Sequence, residues 1–229
     1  MKKLTLLVFC LALAVGSGWA GVVGTTDPSL FNDTVDWCQY GCGGASYASP
    51  QSWISNGGAT GEIGLVGTLQ GFYNLQQDSS WLGNFAPSMG LVYNGAAFGN
   101  TPAPIAATFD TGLFGAGAYI QSDYYGPFTA TIELFDVNDL SLGTYTVGGT
   151  SAYSPGTALF IGAFGSAPVY AAQFYVTDQF GNQDFAIGSL LLSTSENLSP
   201  SPEPGTFLLL GSSALGLAGV LRRRFKGVL

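Results

Sequence analysis

Phe128-Thr129-Ala130-Thr131-Ile132-Glu133-Leu134-Phe135-Asp136 decides the fold class. Phe128, Ala130, Ile132 and Leu134 fall on one parity, and Thr129, Thr131 and Glu133 on the other. A period of two sorts apolar from polar side chains only in a strand with one buried face. The alternation returns in Ala172-Gln173-Phe174-Tyr175-Val176-Thr177. Weaker runs predict further strands near 62–69, 89–93, 105–109, 114–121, 142–147, 157–163 and 185–193. Turn-forming residues punctuate them at Pro102-Ala103-Pro104, Tyr125-Gly126-Pro127, Asn138-Asp139, Gly148-Gly149, Ser154-Pro155-Gly156 and Gly181-Asn182. Strands spaced about 8–14 residues apart with such turns predict an all-β fold, an antiparallel β-sandwich of jelly-roll-like form.

The charges narrow the function. Every cation lies at an end: Lys2 and Lys3, then Arg222, Arg223, Arg224 and Lys226, and the chain has no His. Thirteen of the fourteen carboxylates lie between Gly21 and Ser201, with no cation among them. Such a segment has no groups to neutralise phosphates, so nucleic acid is excluded as a partner. Anionic lipid surfaces are disfavoured for the same reason. A Ser-His-Asp triad, a Schiff-base lysine and an arginine finger all lack their key residue. About 180 residues remain between the ends, enough for one domain with its own core.

Lys2-Lys3, the apolar stretch Leu4–Val15 and the small residues Gly18 and Ala20 form the pattern of a secretory signal peptide. A predominantly apolar run of twelve residues is too short to span a bilayer, and cleavage is expected after Ala20. At the other end, Pro202-Glu203-Pro204 is followed by Gly205–Leu221, 17 residues without charge, and then by Arg222-Arg223-Arg224. That length is at the short limit for a transmembrane helix, and the arginines mark its cytoplasmic side. The layout is residues 1–20 as signal peptide, 21–198 as an exported β-sandwich domain and 199–229 as a sorting tail. Two Asn-x-Ser/Thr sequons, at Asn32 and Asn197, would be glycosylation acceptors only in a eukaryotic secreted protein.

The order Pro-Glu-Pro, apolar run, arginine cluster resembles the PEP-CTERM sorting signal of Gram-negative bacteria. The resemblance covers about the last 28 residues, with Arg222, Arg223 and Arg224 as part of the motif, and implies an exosortase as partner, processing near Pro202-Glu203-Pro204. It also implies tethering to the inner membrane before processing, then a cell-surface or extracellular location in bacteria that make exopolysaccharide and biofilm. The same tail has been called the ice-binding protein C-terminal domain; that label concerns the tail and does not bear on ice. Residues 72–193 resemble the β-sandwich cargo domain of such proteins through Trp81-Leu-Gly-Asn-Phe-Ala-Pro87, Ile120-Gln-Ser-Asp-Tyr-Tyr-Gly126-Pro-Phe-Thr-Ala130 and Asp184-Phe-Ala-Ile187. Val35-Asp36-Trp37 fits the usual start of that domain. A last strand of that kind often reads Phe-Ala-Ile-Asp-Asn; here Gly188-Ser189 stand in place of the final pair.

Candidate chemistry is sparse. Asp110-Thr111-Gly112 after an apolar strand matches the aspartic-protease signature, where two carboxylates share a proton. No second Asp-Thr/Ser-Gly exists, and Leu113 follows where those enzymes carry Ser or Thr, so the triplet reads as a turn between strands 105–109 and 114–121. Glu62 and Glu133 could form a glycosidase acid/base pair, with no sequence sign that they lie close. Asp136-Val137-Asn138-Asp139 offers oxygens to Ca²⁺ but lacks the spacing of an EF-hand, since Leu140 follows. No metal site and no cofactor is expected. Cys38 and Cys42, in an exported segment, suggest a disulfide, with free or intermolecular thiols as the alternative. Trp37, Trp53, Trp81, Phe128, Tyr124 and Tyr125 are the aromatics that could stack on sugars. Tyr124 and Tyr125 are favoured, because neighbouring strand residues face opposite ways and one reaches solvent. The sequence therefore points to a non-enzymatic surface or matrix protein. A carbohydrate-binding module for neutral glycans and a carboxylate-only secreted hydrolase are its alternatives.

Overall fold

The computed structural model describes residues 21–68, 70–95 and 101–195. The expected signal peptide, Pro202-Glu203-Pro204, the apolar tail and its arginines lie outside the described residues. Twelve strands follow one another: β1 (Val22–Thr25), β2 (Asp33–Val35), β3 (Ser46–Tyr47), β4 (Gln51–Ile54), β5 (Thr60–Leu65), β6 (Phe72–Gln76), β7 (Gly90–Tyr93), β8 (Ile105–Ser122), β9 (Gly126–Phe135), β10 (Ser141–Ser151), β11 (Leu159–Asp178) and β12 (Phe185–Ser193). Two short 3-10 turns, Pro28–Leu30 and Trp37–Tyr40, are the only named helical elements among the described residues. No helix of the described residues is long and apolar enough to cross a membrane.

The strands form a 12-stranded sheet in the order β10-β9-β11-β8-β12-β7-β6-β3, with β1, β2, β4 and β5 branching from it. All the named strand pairs are antiparallel. The sheet folds on itself through β8 and β11. The first part of β8 (105–109) lies between β5 and the end of β11; its last part (115–122) lies between the start of β11 and β12. Between them the register jumps, because each strand carries extra residues: Asp110–Gly112 in β8 and Gly165–Pro168 in β11. Bulged corners of this kind let a strand leave one layer and enter the other. Inward side chains of both halves, among them Ile132, Leu134 and Phe174 on one and Trp37, Ile120 and Leu190 on the other, join one apolar cluster. The architecture is thus an all-β, antiparallel, sandwich-like domain.

The alternation read from β9 is the alternation observed. Phe128, Ala130, Ile132 and Leu134 are buried, as are Ala172, Phe174 and Val176 of β11, while Thr129, Thr131 and Glu133 face outward. Two turn expectations need correction. Asp110-Thr111-Gly112 is a corner within β8 and does not end a strand, so the runs 105–109 and 114–121 are one element. The runs 157–163 and 172–177 likewise fuse into β11. Gly148-Gly149 is not a turn either: Gly148 pairs with Thr129 and Gly149 with Phe128 in the β9–β10 ladder. Gly149 is needed for close approach, since a Cβ there would come within 2.5 Å of the Phe128 ring.

A second apolar cluster lies on the far side of the β7–β12 half. Leu75, Trp81, Phe85, Leu91, Tyr93 and Ala186 pack together beneath the long β6–β7 connection, residues 77–89. That connection covers β7 on its outer face, so all four β7 residues are buried and the strand shows no alternation.

Candidate functional site: an aromatic cleft at the loop end

Three connections leave the sheet at one end, because Ser151 pairs with Gly126, Asp178 with Phe128, and Phe185 with Ser122. They are the β8–β9, β10–β11 and β11–β12 loops. The β6–β7 connection folds back to meet them through a buried polar cluster. Gln121 Oε1 accepts the Trp81 indole N–H at 3.2 Å and the Asn84 amide at 2.7 Å. Gln121 Nε2 donates to Ser151 Oγ at 2.7 Å, and that hydroxyl donates to the Ser122 carbonyl at 2.7 Å. The Asn84 side chain donates to Thr157 Oγ1 at 2.9 Å and accepts the Ala152 amide at 2.5 Å. Gln121, Asn84 and Ser151 are all buried. Buried polar groups paired this completely fix loop geometry more tightly than apolar contact does.

On this scaffold sits an open cleft of about 420 Å³ lined by Ser80, Trp81, Leu82, Asp123, Tyr124 and Tyr125. Trp81 is 6 % exposed and is part of the floor. Tyr124, Tyr125 and Leu82 stand up from it at 47 %, 54 % and 61 % exposure. The Tyr125 hydroxyl donates to the Leu82 carbonyl at 2.9 Å, tying the two walls together. A second depression of about 340 Å³ begins at Asn84 and is lined by Thr150, Ser154 and Thr157. Tyr153 and Phe180 are exposed on the adjoining loops.

Asp123 is the cleft's one ionisable carboxyl. Burial pushes its pKa up to about 6, the neighbouring Asp184 carboxylate adds to the rise, and a hydrogen bond with the Tyr93 side chain opposes it. The Asp123 amide donates to the Asp184 carbonyl at 2.9 Å, which seats the β8–β9 loop on the start of β12.

Of the six aromatics singled out in the sequence, the structure leaves only Tyr124 and Tyr125 exposed. Trp37, Trp53, Trp81 and Phe128 are buried. Trp37 donates its indole N–H to the Gly188 carbonyl at 2.6 Å, at the point where the β8–β12 register shifts. Gly188-Ser189 is therefore a packed irregularity in β12. Cys38 and Cys42 form a disulfide with Cα atoms 4.7 Å apart. It closes the Trp37–Tyr40 turn, which Asp36 caps by accepting the Cys38 amide and Gly41 ends in the left-handed conformation. Asn74, fully buried, accepts the Cys42 amide and donates to the carbonyls of Trp37 and Leu91.

The candidate catalytic groups stay apart. Glu62 on β5 and Glu133 on β9 are separated by β8 and β11, three strand spacings or about 14 Å. Paired glycosidase carboxylates sit about 5–10 Å apart. Glu133 instead accepts from Ser141 at 2.6 Å and from Tyr175 at 3.2 Å. Asp110 is exposed and accepts the Thr60 hydroxyl at 2.6 Å. Asp136 caps its own turn by accepting the Asn138 and Leu140 amides; the Leu140 and Asn138 bonds hold its pKa below the usual carboxylate value. Among the described residues no three His, Cys, Asp or Glu side chains gather as metal ligands.

The sequence reading missed Gln121, Asn84 and Ser151, along with Leu82 and Asp123. One signal could have found all of these but Ser151. The three stretches that carry the resemblance to cargo domains, around Trp81, Ile120–Gly126 and Asp184, meet at this one place.

No protein-family model and no curated protein matches the chain. Among solved structures it is similar to a carbohydrate-binding module, CsCBM6-3, of Clostridium stercorarium in complex with cellobiose, with a TM-score of 0.31 and 12% identity over 72% of this chain and 95% of that one. It is similar also to a DUF4465 family protein of Bacteroides caccae, with a TM-score of 0.36 and 10% identity over 78% and 96% of the two chains. A xylan-binding domain, CBM22-1, of Paenibacillus barcinonensis gives 0.25 and 8% over 66% and 94%. These are likenesses of outline, so a function has to come from the residues of the cleft.

Proposed function

We propose that the domain is a non-enzymatic carbohydrate-binding module of jelly-roll-like form that holds neutral glycans in the Tyr124–Tyr125 cleft. The observation that carries this is the pair of exposed tyrosines standing over a floor fixed by buried hydrogen bonds. Sugar rings present apolar C–H faces, and a rigid aromatic wall binds them without losing much side-chain freedom. Ser80 and Asp123 are placed to accept or donate hydrogen bonds at the rim. An acidic polysaccharide would meet repulsion from a domain without a single Lys, Arg or His. A carboxylate-only hydrolase is disfavoured by the distance between Glu62 and Glu133.

The chain's ends supply its location in this reading. The signal peptide exports it; an exosortase acts at Pro202-Glu203-Pro204; the apolar tail with Arg222, Arg223 and Arg224 tethers it to the inner membrane until then. The product resides at the cell surface or in the matrix, in contact with exopolysaccharide. Replacing Glu203 with Ala leaves the tethered form accumulating. Mature protein from wild-type cells that still carries Arg222 by mass spectrometry contradicts processing.

Titration calorimetry on the purified chain against neutral and acidic oligosaccharides, with and without chelator, tests the binding. The expected result is a millimolar-range Kd for a neutral glycan, about 4 kcal/mol, weakened by Tyr124→Ala or Tyr125→Ala. Tight binding to acidic sugars, or binding indifferent to both substitutions, overturns it.

A further inference from the structure

Among the described residues the sheet has five outer strands: β1, β2, β3, β4 and β10. Natural sheets protect their edges by making them short or by placing charge or proline there. Four of these edges are short, at 4, 3, 2 and 4 residues. β10 is 11 residues long, Ser-Leu-Gly-Thr-Tyr-Thr-Val-Gly-Gly-Thr-Ser, without a charge or a proline. Its register on β9 runs unbroken from Gly143 to Ser151, and among the described residues it pairs with no other strand. The bulge between Ser141 and Gly143 disturbs only its start. Thr144, Thr146, Gly148 and Thr150 carry the outward, exposed positions. We infer that β10 is an association edge and that its partner is β10 of a second copy of this chain, paired antiparallel about a two-fold axis.

Charge selects the direction. The carboxylates nearest this edge are Glu133 on β9 and Asp136 and Asp139 in the β9–β10 turn. Parallel pairing would set the two acidic turns side by side. Antiparallel pairing places them at opposite ends of the shared ladder, about 30 Å apart for nine residues. Along the ladder only neutral side chains face one another, so a second copy meets no like charge there. A two-fold pairing also uses up both edges and closes as a dimer, where a head-to-tail contact would grow. The result is one sheet continuous across two domains, with Thr146 near the axis.

The test uses the purified full chain, its mass measured by light scattering, with two single-cysteine variants. Thr146→Cys places a thiol beside its symmetry mate and gives a covalent dimer on mild oxidation. Thr177→Cys lies exposed on β11, inside the sheet and away from the edge, and stays uncrosslinked. The unsubstituted chain scatters as about twice one chain mass, and Thr146→Glu, which sets two carboxylates face to face, returns it to one. A monomer at every concentration, equal crosslinking at both positions, or a dimer that survives Thr146→Glu overturns the inference. None of these outcomes depends on glycan binding.

Discussion

The indole N–H of Trp81 and the side-chain oxygen of Gln121, forty residues apart, meet at 3.2 Å beneath the aromatic cleft. The same oxygen takes the Asn84 amide, so one buried glutamine anchors the connection that forms the cleft floor. Gln121→Ala leaves both donors buried and unpaired. The expected loss is about 2–4 kcal/mol of unfolding free energy by urea titration, with glycan binding weakened alongside. A variant as stable as the parent would mean that water replaces the glutamine without cost.

Asp123 gives a pH dependence with a definite sign. Its carboxyl is held protonated up to about 6 by burial and by Asp184, against an ordinary value of 3.8. Between those values the folded form holds a proton that the unfolded form has released. Stability from this group is therefore full below about pH 4 and declines as pH rises through 6. Asp123→Asn removes the decline, so its melting temperature exceeds that of the parent at pH 7.5 and matches it at pH 4. Equal differences at both pH values would assign the effect to something other than this proton.

Asp110 is predicted to be chemically idle. It is exposed at a corner of β8, with Thr60 as its hydrogen-bonding neighbour. Asp110→Asn is expected to cost at most about 1 kcal/mol, the worth of one exposed hydrogen bond. Incubation with unfolded protein at acidic pH is expected to show no cleavage by either form. Proteolysis present in the parent and lost in the variant would make Asp110 catalytic.

The Cys38–Cys42 bridge closes a short loop, so its contribution to stability is about 2 kcal/mol in the chain-entropy picture. The loop has other anchors in Asn74, Trp37 and Gly90, where a Cβ would crowd both sulfurs. Replacing both cysteines with Ser is expected to lower the urea midpoint without unfolding the domain. Collapse of the circular dichroism spectrum under mild reductant would show that the bridge holds more than its own loop.

What the sequence made legible followed burial. β9 and the end of β11 have one face on the core and one in water, so their side chains alternate and the strands are plain. β7 is buried on both faces and shows no period. Asp110–Gly112 and Gly148-Gly149 read as turns because their residue types suit turns; a corner and a close approach to Phe128 need the same types. Tyr124 and Tyr125 were singled out as neighbouring strand residues of which one reaches solvent; they lie instead in the connection between β8 and β9, and both are exposed. Gln121 was not: on an uncovered sheet it would face water, and only the returning 77–89 connection makes it interior.

The two bulged corners govern when the domain can fold. β8 and β11 each serve both layers, so no cut in the chain yields a half that keeps its own sheet. β12, the last strand, supplies the neighbour for β2, β7 and the end of β8. A chain emerging from its N-terminus thus holds β2 without its strand partner, and β7 with β6 alone, until β12 is free. The first strand likewise joins the eleventh. Pairings so distant in sequence make for folding in milliseconds to seconds.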